Sequence, residues 1–241
     1  MIPLKKIRVT IWNEYLHEPV EEAAHALYPD GIHNFIKDFL KDDENLEIRT
    51  CVLDDEDYGL SDEILENTDV LIFWAHIAHG RIPDEVAMKI RERVYNGMGF
   101  IPLHSAHKSK PFMYTVGCNG NLTWGDEVKE IIFNTAPSHP IAKGIPEHFI
   151  IDREEMYGEY FSIPQPDSVV FTSWFESGYV FRSGCCFLRG VGKVFYFQPG
   201  HETSASFYNE YVQKIIKNAI YWTAPTEMGV DKSDCRYATA L

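Results

Sequence analysis

Two apolar runs in this sequence end in side chains that can transfer protons or bind metal ions. One run covers residues 99–103, and the other covers residues 194–197. Ligands in open α/β sheets bind beyond the carboxyl ends of the parallel strands, so we expect the two run ends to share one pocket. Imidazoles and carboxylates there suit general acid-base catalysis, with Glu202 orienting His201 as the general base, or alternatively with the two residues as a pair of ligands. The candidate catalytic residues are His104, Ser105, His201 and Glu202.

Further polar and aromatic residues stand near the ends of other predicted strands. Aromatic faces cover the apolar faces of a sugar ring, while Asn, Glu, His and Arg side chains bind its hydroxyls. Trp74 and Trp124 also lie near the predicted pocket edges, although Trp74 suits plain core packing equally well. A small-molecule sugar is therefore the expected partner. The candidate substrate-binding residues are Trp12, Asn13, Glu14, His33, His79, Arg81 and His107.

The ten histidines also raise the hypothesis of a divalent metal site, with zinc as the metal. Imidazole and carboxylate ligands suit zinc and similar ions. The candidate ligands are His104, His201 and Glu14, within a wider set that includes His76. No spacing among these residues matches a known metal motif, so acid-base chemistry without a metal stays open.

Ser105 has two interpretations. A nucleophile elbow exposes its residue between a strand and a helix, and Ser105 stands at such a place. The glycines that usually flank the nucleophile are absent, because Leu103 and His107 hold those positions. A turn or hydrogen-bonding role is the alternative. Cys118 lies between glycines, without a good strand before it, and is interpreted as a loop cysteine.

Composition excludes several classes of function. The formal net charge is −14, and residues 38–69 hold 13 acids and two bases. Such a chain repels nucleic acid and anionic membranes, so we expect neither as a partner. No apolar run approaches the roughly 20 residues of a membrane helix, and the start lacks a signal peptide. Five cysteines without a Cys-x-x-Cys pair suggest buried, reduced thiols. We therefore expect a cytoplasmic protein.

The elements that position these residues alternate between strand and helix in the first half. The pattern predicts strands at residues 7–12, 46–53, 69–74 and 99–103, and it predicts helices between them, with Asp30 and Ser61 as N-caps. This repetition predicts a mostly parallel sheet. Later strands are expected at 128–133 and 169–174, with a hairpin at 178–197 and a last helix at 209–222. We expect one domain, residues 1–225, and a C-terminal arm, residues 226–241, packed on a neighbour in a homo-oligomer.

Five stretches of the sequence match the pattern of one known family. They are Val9-Thr10-Ile11-Trp12-Asn13-Glu14, Tyr28-Pro29-Asp30-Gly31-Ile32-His33, Trp74-Ala75-His76, Leu103-His104-Ser105-Ala106-His107 and Pro199-Gly200-His201-Glu202. On these stretches the sequence resembles the ThuA-like family, the trehalose-utilisation proteins. That family is similar in fold to class I glutamine amidotransferases, which implies a flavodoxin-like, three-layer αβα sandwich. The resemblance places Ser105 or His104 where the amidotransferase nucleophile cysteine stands, and His201-Glu202 near the triad His and Glu.

No cysteine occupies the elbow, and the thiolate is what makes attack on an amide feasible there. Glutaminase activity is therefore rejected. The resemblance implies a role in carbohydrate catabolism, as a hydrolase or isomerase acting on trehalose or a keto derivative of a disaccharide. The alternative is a non-catalytic sugar-binding or regulatory protein on the same scaffold.

Overall fold

The computed structural model describes residues 6–226, which are built around one nine-stranded sheet in the order β2-β1-β3-β4-β9-β8-β7-β5-β6. The strands are β1 (Ile7–Asn13), β2 (Leu46–Val52), β3 (Val70–Trp74), β4 (Gly99–Leu103), β5 (Thr123–Asn134), β6 (His148–Gly158), β7 (Ser168–Phe175), β8 (Val180–Arg189) and β9 (Gly192–Phe197). The helices are α1 (Glu22–Leu27), α2 (Ile32–Leu40), α3 (Asp62–Glu66), α4 (Asp84–Tyr95), α5 (Lys110–Val116) and α6 (Glu210–Thr223). Short 3₁₀ turns cover Glu56–Gly59, His104–Lys108, Pro140–Ala142 and Ser206–Tyr208.

The sheet has a parallel half and an antiparallel half. Neighbours among β2, β1, β3, β4 and β9 pair in parallel, whereas β9, β8, β7, β5 and β6 pair antiparallel. Every residue of β3 and β4 is buried, as expected for strands covered on both faces. The predicted αβα sandwich is confirmed, although half of the strand pairs are antiparallel.

Successive side chains of the parallel strands pack alternately into two separate hydrophobic cores. Val9 and Ile11 of β1 pack in the core that contains residues of α2 and α6, whereas Trp12 packs in the core that contains residues of α4 and α5. Side chains of a strand alternate between faces, so one apolar run supplies both layers. The helices therefore lie on both faces of the sheet and leave the carboxyl ends of β1, β3, β4 and β9 together at one edge.

The predicted helix starts are half right. Ser61 caps α3, because its side chain accepts a hydrogen bond from the amide of Ile64. The prediction of Asp30 as a cap of α2 is wrong. The cap position is Gly31, whose φ of 85° lies in the left-handed region, and a Cβ there would meet the His33 ring at 2.5 Å. Close approach and unusual backbone, rather than an accepting side chain, define this helix start.

The β5–β6 hairpin lies at the edge of the sheet yet reaches the functional end of the parallel half. β5 has register shifts between Gly125 and Glu127 and between Val128 and Glu130. Bulges of this kind bend a strand and increase its twist. The bend lets β6, which is five positions from β4 in the strand order, place a side chain against the residue that follows β4.

Some predictions lie at or beyond the limits of the described residues. The C-terminal arm, residues 226–241, is outside them apart from Thr226, and the homo-oligomer stays a prediction. Of the four cysteines that the structure describes, three are buried, Cys118 is half-buried, and all are free thiols. Within residues 6–226, no helix is long and apolar enough to cross a membrane.

Candidate functional site

His104 is the residue at the elbow after β4. Its φ is 51°, left-handed for a non-glycine residue, and its side chain is fully buried. Such a backbone is costly and is often found at functional sites. The Nδ1–H of His104 donates to the carbonyl oxygen of Gln198 at 3.0 Å, and the Tyr196 hydroxyl donates to the carbonyl oxygen of His104 at 3.0 Å. The strained elbow position, which the sequence left between Ser105 and His104, therefore belongs to His104.

The second ring nitrogen of His104 faces Glu155 of β6. The two groups are 3.1 Å apart, Nε2 to Oε2. Burial works to lower the pKa of His104. The hydrogen bond to Glu155 and the charges of Glu155, Glu154 and Glu202 outweigh it and raise that pKa to about 9. Burial works to raise the pKa of Glu155, but His104 and two neighbouring imidazoles lower it overall. In the metal-free chain, this contact is therefore an ion pair at neutral pH.

Three imidazoles and Glu155 form a compact cluster. The ring centroids of His76, His104 and His201 are 5.1 to 5.7 Å apart. One ligand atom from each of these histidines and from Glu155 lies within 4.8 Å of the others. The residues come from the ends of β3, β4 and β9 and from the β6 hairpin strand, so the fold brings together the two strand ends that the sequence singled out.

His201 is oriented by residues other than the predicted Glu202. Its Nδ1 lies 2.8 Å from the Thr203 hydroxyl and 3.2 Å from Oε1 of Glu127. The buried carboxylate of Glu154 accepts backbone N–H groups from Gly200 and His201 and fixes the turn. Burial and the charge of His104 lower the pKa of His201. With Nδ1 engaged in this way, Nε2 is the nitrogen left to face the cluster.

Glu202 contacts a different set of histidines. Its Oε1 lies 3.0 Å from Nδ1 of His76 and 3.4 Å from Nδ1 of His17, whereas its Oε2 is 3.7 Å from Nε2 of His201. Burial works to raise the pKa of Glu202, but His76 and His201 lower it to about 2. The interpretation of Glu202 as the group that orients His201 is therefore corrected: its nearer neighbours are His76 and His17.

A cavity of about 450 Å³ opens beside the cluster. Ser105 lies at its wall, and its Oγ is 2.7 Å from the Tyr157 hydroxyl. The hydrogen bonds of the described residues give Ser105 no imidazole partner, which weakens the nucleophile interpretation and favours a positioning role. Burial raises the pKa of Tyr157 well above its ordinary value, so the phenol keeps its proton.

Two other predicted binding residues line the same cavity. Burial lowers the pKa of His79 to about 4 and that of His107 to about 3, so both rings are neutral at physiological pH. His107 donates its Nδ1–H to the carbonyl of Gly120 at 2.7 Å. Trp124 is 70% exposed and lies at the rim of the cavity, where its aromatic ring is open to solvent.

The remaining predicted binding residues do not line this cavity. Trp12 is buried, stacks on Phe73 at 4.2 Å and donates its indole N–H to the Tyr58 carbonyl, so it is a core residue. Its predicted sugar-binding role is wrong, because its ring has no free face. Arg81 is half-exposed and pairs with Asp54 at 2.5 Å.

Asn13, Glu14 and His33 support the neighbouring loops. The Asn13 amide donates to Glu18 at 2.7 Å and lies 3.0 Å from Nδ1 of His33, and burial lowers the pKa of His33 to about 4. The two carboxylate oxygens of Glu14 accept the backbone N–H groups of His76 and Ile77. Glu14 is absent from the clusters of ligand atoms found among the described residues. The group that could hold a metal ion at this edge of the sheet contains Glu155 and His76 instead.

Several site residues escaped the sequence analysis: His17, Glu155 and Tyr157. Glu155 and Tyr157 are two positions apart in β6, so they share one face of a strand. The signal available was the apolar alternation Phe149, Ile151, which predicts a strand that continues toward them. His17 lies in the long loop after β1 and offered no such signal.

The donor set fits a divalent metal ion. Three imidazoles and one carboxylate match the ligands of zinc and similar ions. Metal-binding histidines characteristically donate their other N–H to a carbonyl or carboxylate, as His104 does to Gln198.

Similarity to solved structures agrees with the fold. A ThuA-like protein from Parabacteroides merdae superimposes with a TM-score of 0.70 at 14% identity, covering 95% of this chain and 94% of that chain. A cytoplasmic protein from Salmonella typhimurium gives 0.62 at 13% identity, over 91% and 100%. A glutamine amidotransferase from Thermotoga maritima gives 0.54 at 10% identity, over 90% and 97%. These identities establish a shared amidotransferase-like fold and nothing finer.

Sequence comparison identifies the family. A search of curated proteins finds no match. The model of the ThuA family, described as trehalose utilisation, matches residues 8–223, which is nearly the whole described chain. This stretch includes His76, His104, Glu155 and His201. The chain therefore belongs to the ThuA, or trehalose utilisation, family.

Proposed function

We propose that this protein is a metal-dependent enzyme of carbohydrate catabolism that acts on trehalose or a keto derivative of a disaccharide, by hydrolysis or isomerisation. The observation that carries the proposal is the cluster of His76, His104, His201 and Glu155 at the wall of the cavity. Membership of the trehalose utilisation family suggests the sugar. A cytoplasmic location, predicted from the sequence, suits an enzyme of this kind.

The cavity wall offers groups suited to binding a sugar. Asn121 and the neutral rings of His79 and His107 can donate hydrogen bonds to sugar hydroxyls and accept hydrogen bonds from them. All three groups are uncharged, which suits an uncharged ligand. The exposed face of Trp124 at the rim can cover the apolar face of a pyranose ring. Polar contacts orient the ligand, while the aromatic ring contributes most of the buried area.

The residues nearest the cluster can hold protons at defined atoms. Tyr157 keeps its phenolic proton and lies 2.7 Å from the Ser105 hydroxyl, so the pair can donate a hydrogen bond to a sugar oxygen. In the metal-free chain, Glu155 lines the cavity as a carboxylate and can accept a proton from a bound hydroxyl or water. Acid and base groups thus face the same space, as reactions at a sugar carbon require.

His76, His104, His201 and Glu155 would hold the metal ion. When bound, such an ion supplies Lewis acidity toward a carbonyl or hydroxyl oxygen and lowers the pKa of coordinated water. The carbonyl oxygen of Gln198, together with Thr203 and Glu127, would keep the imidazoles in place for it.

The test is the metal content and the activity of untagged protein purified without chelator. We expect about one or more equivalents of a divalent metal in the wild type and a marked loss in His104→Ala and His201→Ala. The matched control is His148→Ala, an exposed histidine of β6 away from the cluster, which should keep both metal and activity. Conversion of trehalose or its keto derivative is then followed by chromatography, with thermal unfolding to check folding.

Two results would contradict the proposal in different ways. Wild-type protein without metal, and with an activity unchanged by added zinc, would remove the metal while leaving acid-base catalysis by Glu155 and Tyr157. Calorimetric binding of the sugar without any conversion would favour the alternative function, a sugar-binding or regulatory protein.

A further inference from the structure

A second group of potential ligands lies behind the proposed metal site. It consists of His17, His76 and Glu202, whose ligand atoms also lie within 4.8 Å of one another. His17 comes from the loop after β1, His76 from the end of β3, and Glu202 from the turn after β9. Three separate chain segments thus converge on one point. His76 is the one residue that belongs to both this group and the first cluster.

Glu202 is buried, the two histidines are half-buried, and the hydrogen bonding of the group is incomplete. Glu202 is 2% exposed, and the side chains of His17 and His76 are 18% and 17% exposed. Among the described residues, Nε2 of His17, Nδ1 of His76 and Oε2 of Glu202 are buried without hydrogen-bond partners. Although Nδ1 of His76 lies 3.0 Å from Oε1 of Glu202, the two groups are not aligned as a hydrogen bond. Buried polar atoms without partners are rare and need an explanation.

The position of His76 suggests how the two groups relate. Its ring centroid is 4.9 Å from that of His17 and 5.1 Å from that of His201. His76 therefore lies between His17, which belongs only to the second group, and His201, which belongs only to the first. Glu202 also approaches both sides, with Oε1 near His17 and Oε2 on the side of His201.

We infer that His17, His76 and Glu202 form a second divalent cation site, so that the protein holds two ions side by side. This inference rests on the proposed function, because His76 also belongs to the first site. Two imidazoles and one carboxylate favour zinc or a similar borderline ion. Paired metal sites serve to bind both the attacking and the leaving oxygen of a displacement reaction, which would favour hydrolysis over isomerisation as the reaction.

The test is the stoichiometry of zinc binding to chelator-stripped, full-length protein, measured by titration calorimetry and by elemental analysis after gel filtration. The wild type is expected to bind about two equivalents. His17→Ala and, independently, Glu202→Gln should each bind about one, with thermal unfolding to show that they fold. The matched control is His25→Ala, an exposed histidine of α1 only eight residues away, which should bind two.

Each other outcome overturns the inference, and only the last of them, the absence of zinc, also contradicts the proposed function. One equivalent in the wild type, unchanged in His17→Ala, would leave a single metal site, with Glu202 merely orienting His76. Two equivalents in both proteins would place the second ion elsewhere. No zinc in the wild type would remove both metal sites at once.

Discussion

Replacing Glu130 with glutamine should stabilise the protein at neutral pH. Glu130 lies in β5 and is fully buried, and neither of its carboxyl oxygens has a hydrogen-bond partner among the described residues. Burial, and then the negative charge of Glu154, raise the pKa of Glu130 well above its ordinary value, while Ser173 and His104 nearby lower it by less. The folded protein therefore keeps this carboxyl neutral.

Proton linkage gives both the sign and the size of the effect. A carboxyl with a raised pKa in the folded state contributes stability that is fully present below the unfolded-state pKa and is lost as pH rises toward the folded-state pKa. Each pH unit in that window costs about 1.4 kcal/mol. The wild type therefore loses stability as pH rises from the ordinary glutamate pKa of 4.5 toward the raised pKa of Glu130 in the folded state. Glutamine has nothing to protonate and avoids that loss.

Urea unfolding of the wild type and Glu130→Gln at pH 4.5, 5.5, 6.5 and 7.5 measures this difference. At pH 4.5 both side chains are neutral and of similar shape, so the free energies of unfolding should be close. The advantage of the variant should then grow with pH, by up to about 1.4 kcal/mol for each pH unit below the folded-state pKa. Glu176→Gln, which removes an exposed carboxylate, is the control and should change little. A difference between wild type and Glu130→Gln that does not vary with pH would refute the reasoning.

Three further predictions concern the site and its support. In chelator-treated protein, the raised pKa of His104 contributes stability that is present below pH 6.5 and falls by about 3 kcal/mol as pH rises through about 9. Glu155→Gln should flatten this pH dependence in urea titrations, and an unchanged slope would contradict the ion pair. In thermal unfolding, Gly120→Ala should destabilise the protein by at least ~2 kcal/mol more than Gly117→Ala does. Both glycines have a positive φ, but of the two only Gly120 would bring a Cβ against backbone, at 2.0 Å from the carbonyl oxygen of His107. Equal losses would exclude the steric cause. Asn209→Ala should lower the free energy of unfolding in urea by ~1 kcal/mol, because the Asn209 side chain caps α6 by accepting hydrogen bonds from two backbone N–H groups. An unchanged free energy of unfolding would show that the cap is dispensable.

The parallel half of the fold was predictable because its signals are local. β1, β3 and β4 are apolar runs, and α4 has its apolar residues at helical spacing and ends before glycine. The antiparallel half was predicted less completely. β6 is interrupted by adjacent acids, Glu154 and Glu155, which read as a solvated stretch although the first is fully buried. Its acids are tolerated because distant backbone N–H groups and imidazoles surround them, and a single strand's sequence does not contain that information.

The same limit applies to the site. His104 and His201 were identified because each lies within a few residues of the end of a buried parallel strand. Glu14 met the same criterion, yet its carboxylate is used by the backbone of the loop after β3. Glu155 met no local criterion, since it approaches His104 only through the bend of the hairpin. Chemistry at strand ends is readable from sequence, whereas the choice between supporting a loop and facing the cavity depends on long-range packing.

The bent β5–β6 hairpin divides the site between two parts of the chain. The parallel strand ends carry the imidazoles, while the hairpin carries Glu155, Tyr157 and the rim residue Trp124. A protein with this arrangement can change what enters the cavity by altering the rim residue Trp124, provided that Glu127, Glu154 and Glu155 of the hairpin, which hold His104 and His201, are kept. Substitution at the rim is therefore a practical route to altered substrate selectivity, and the rim is where we expect sequence divergence to follow substrate.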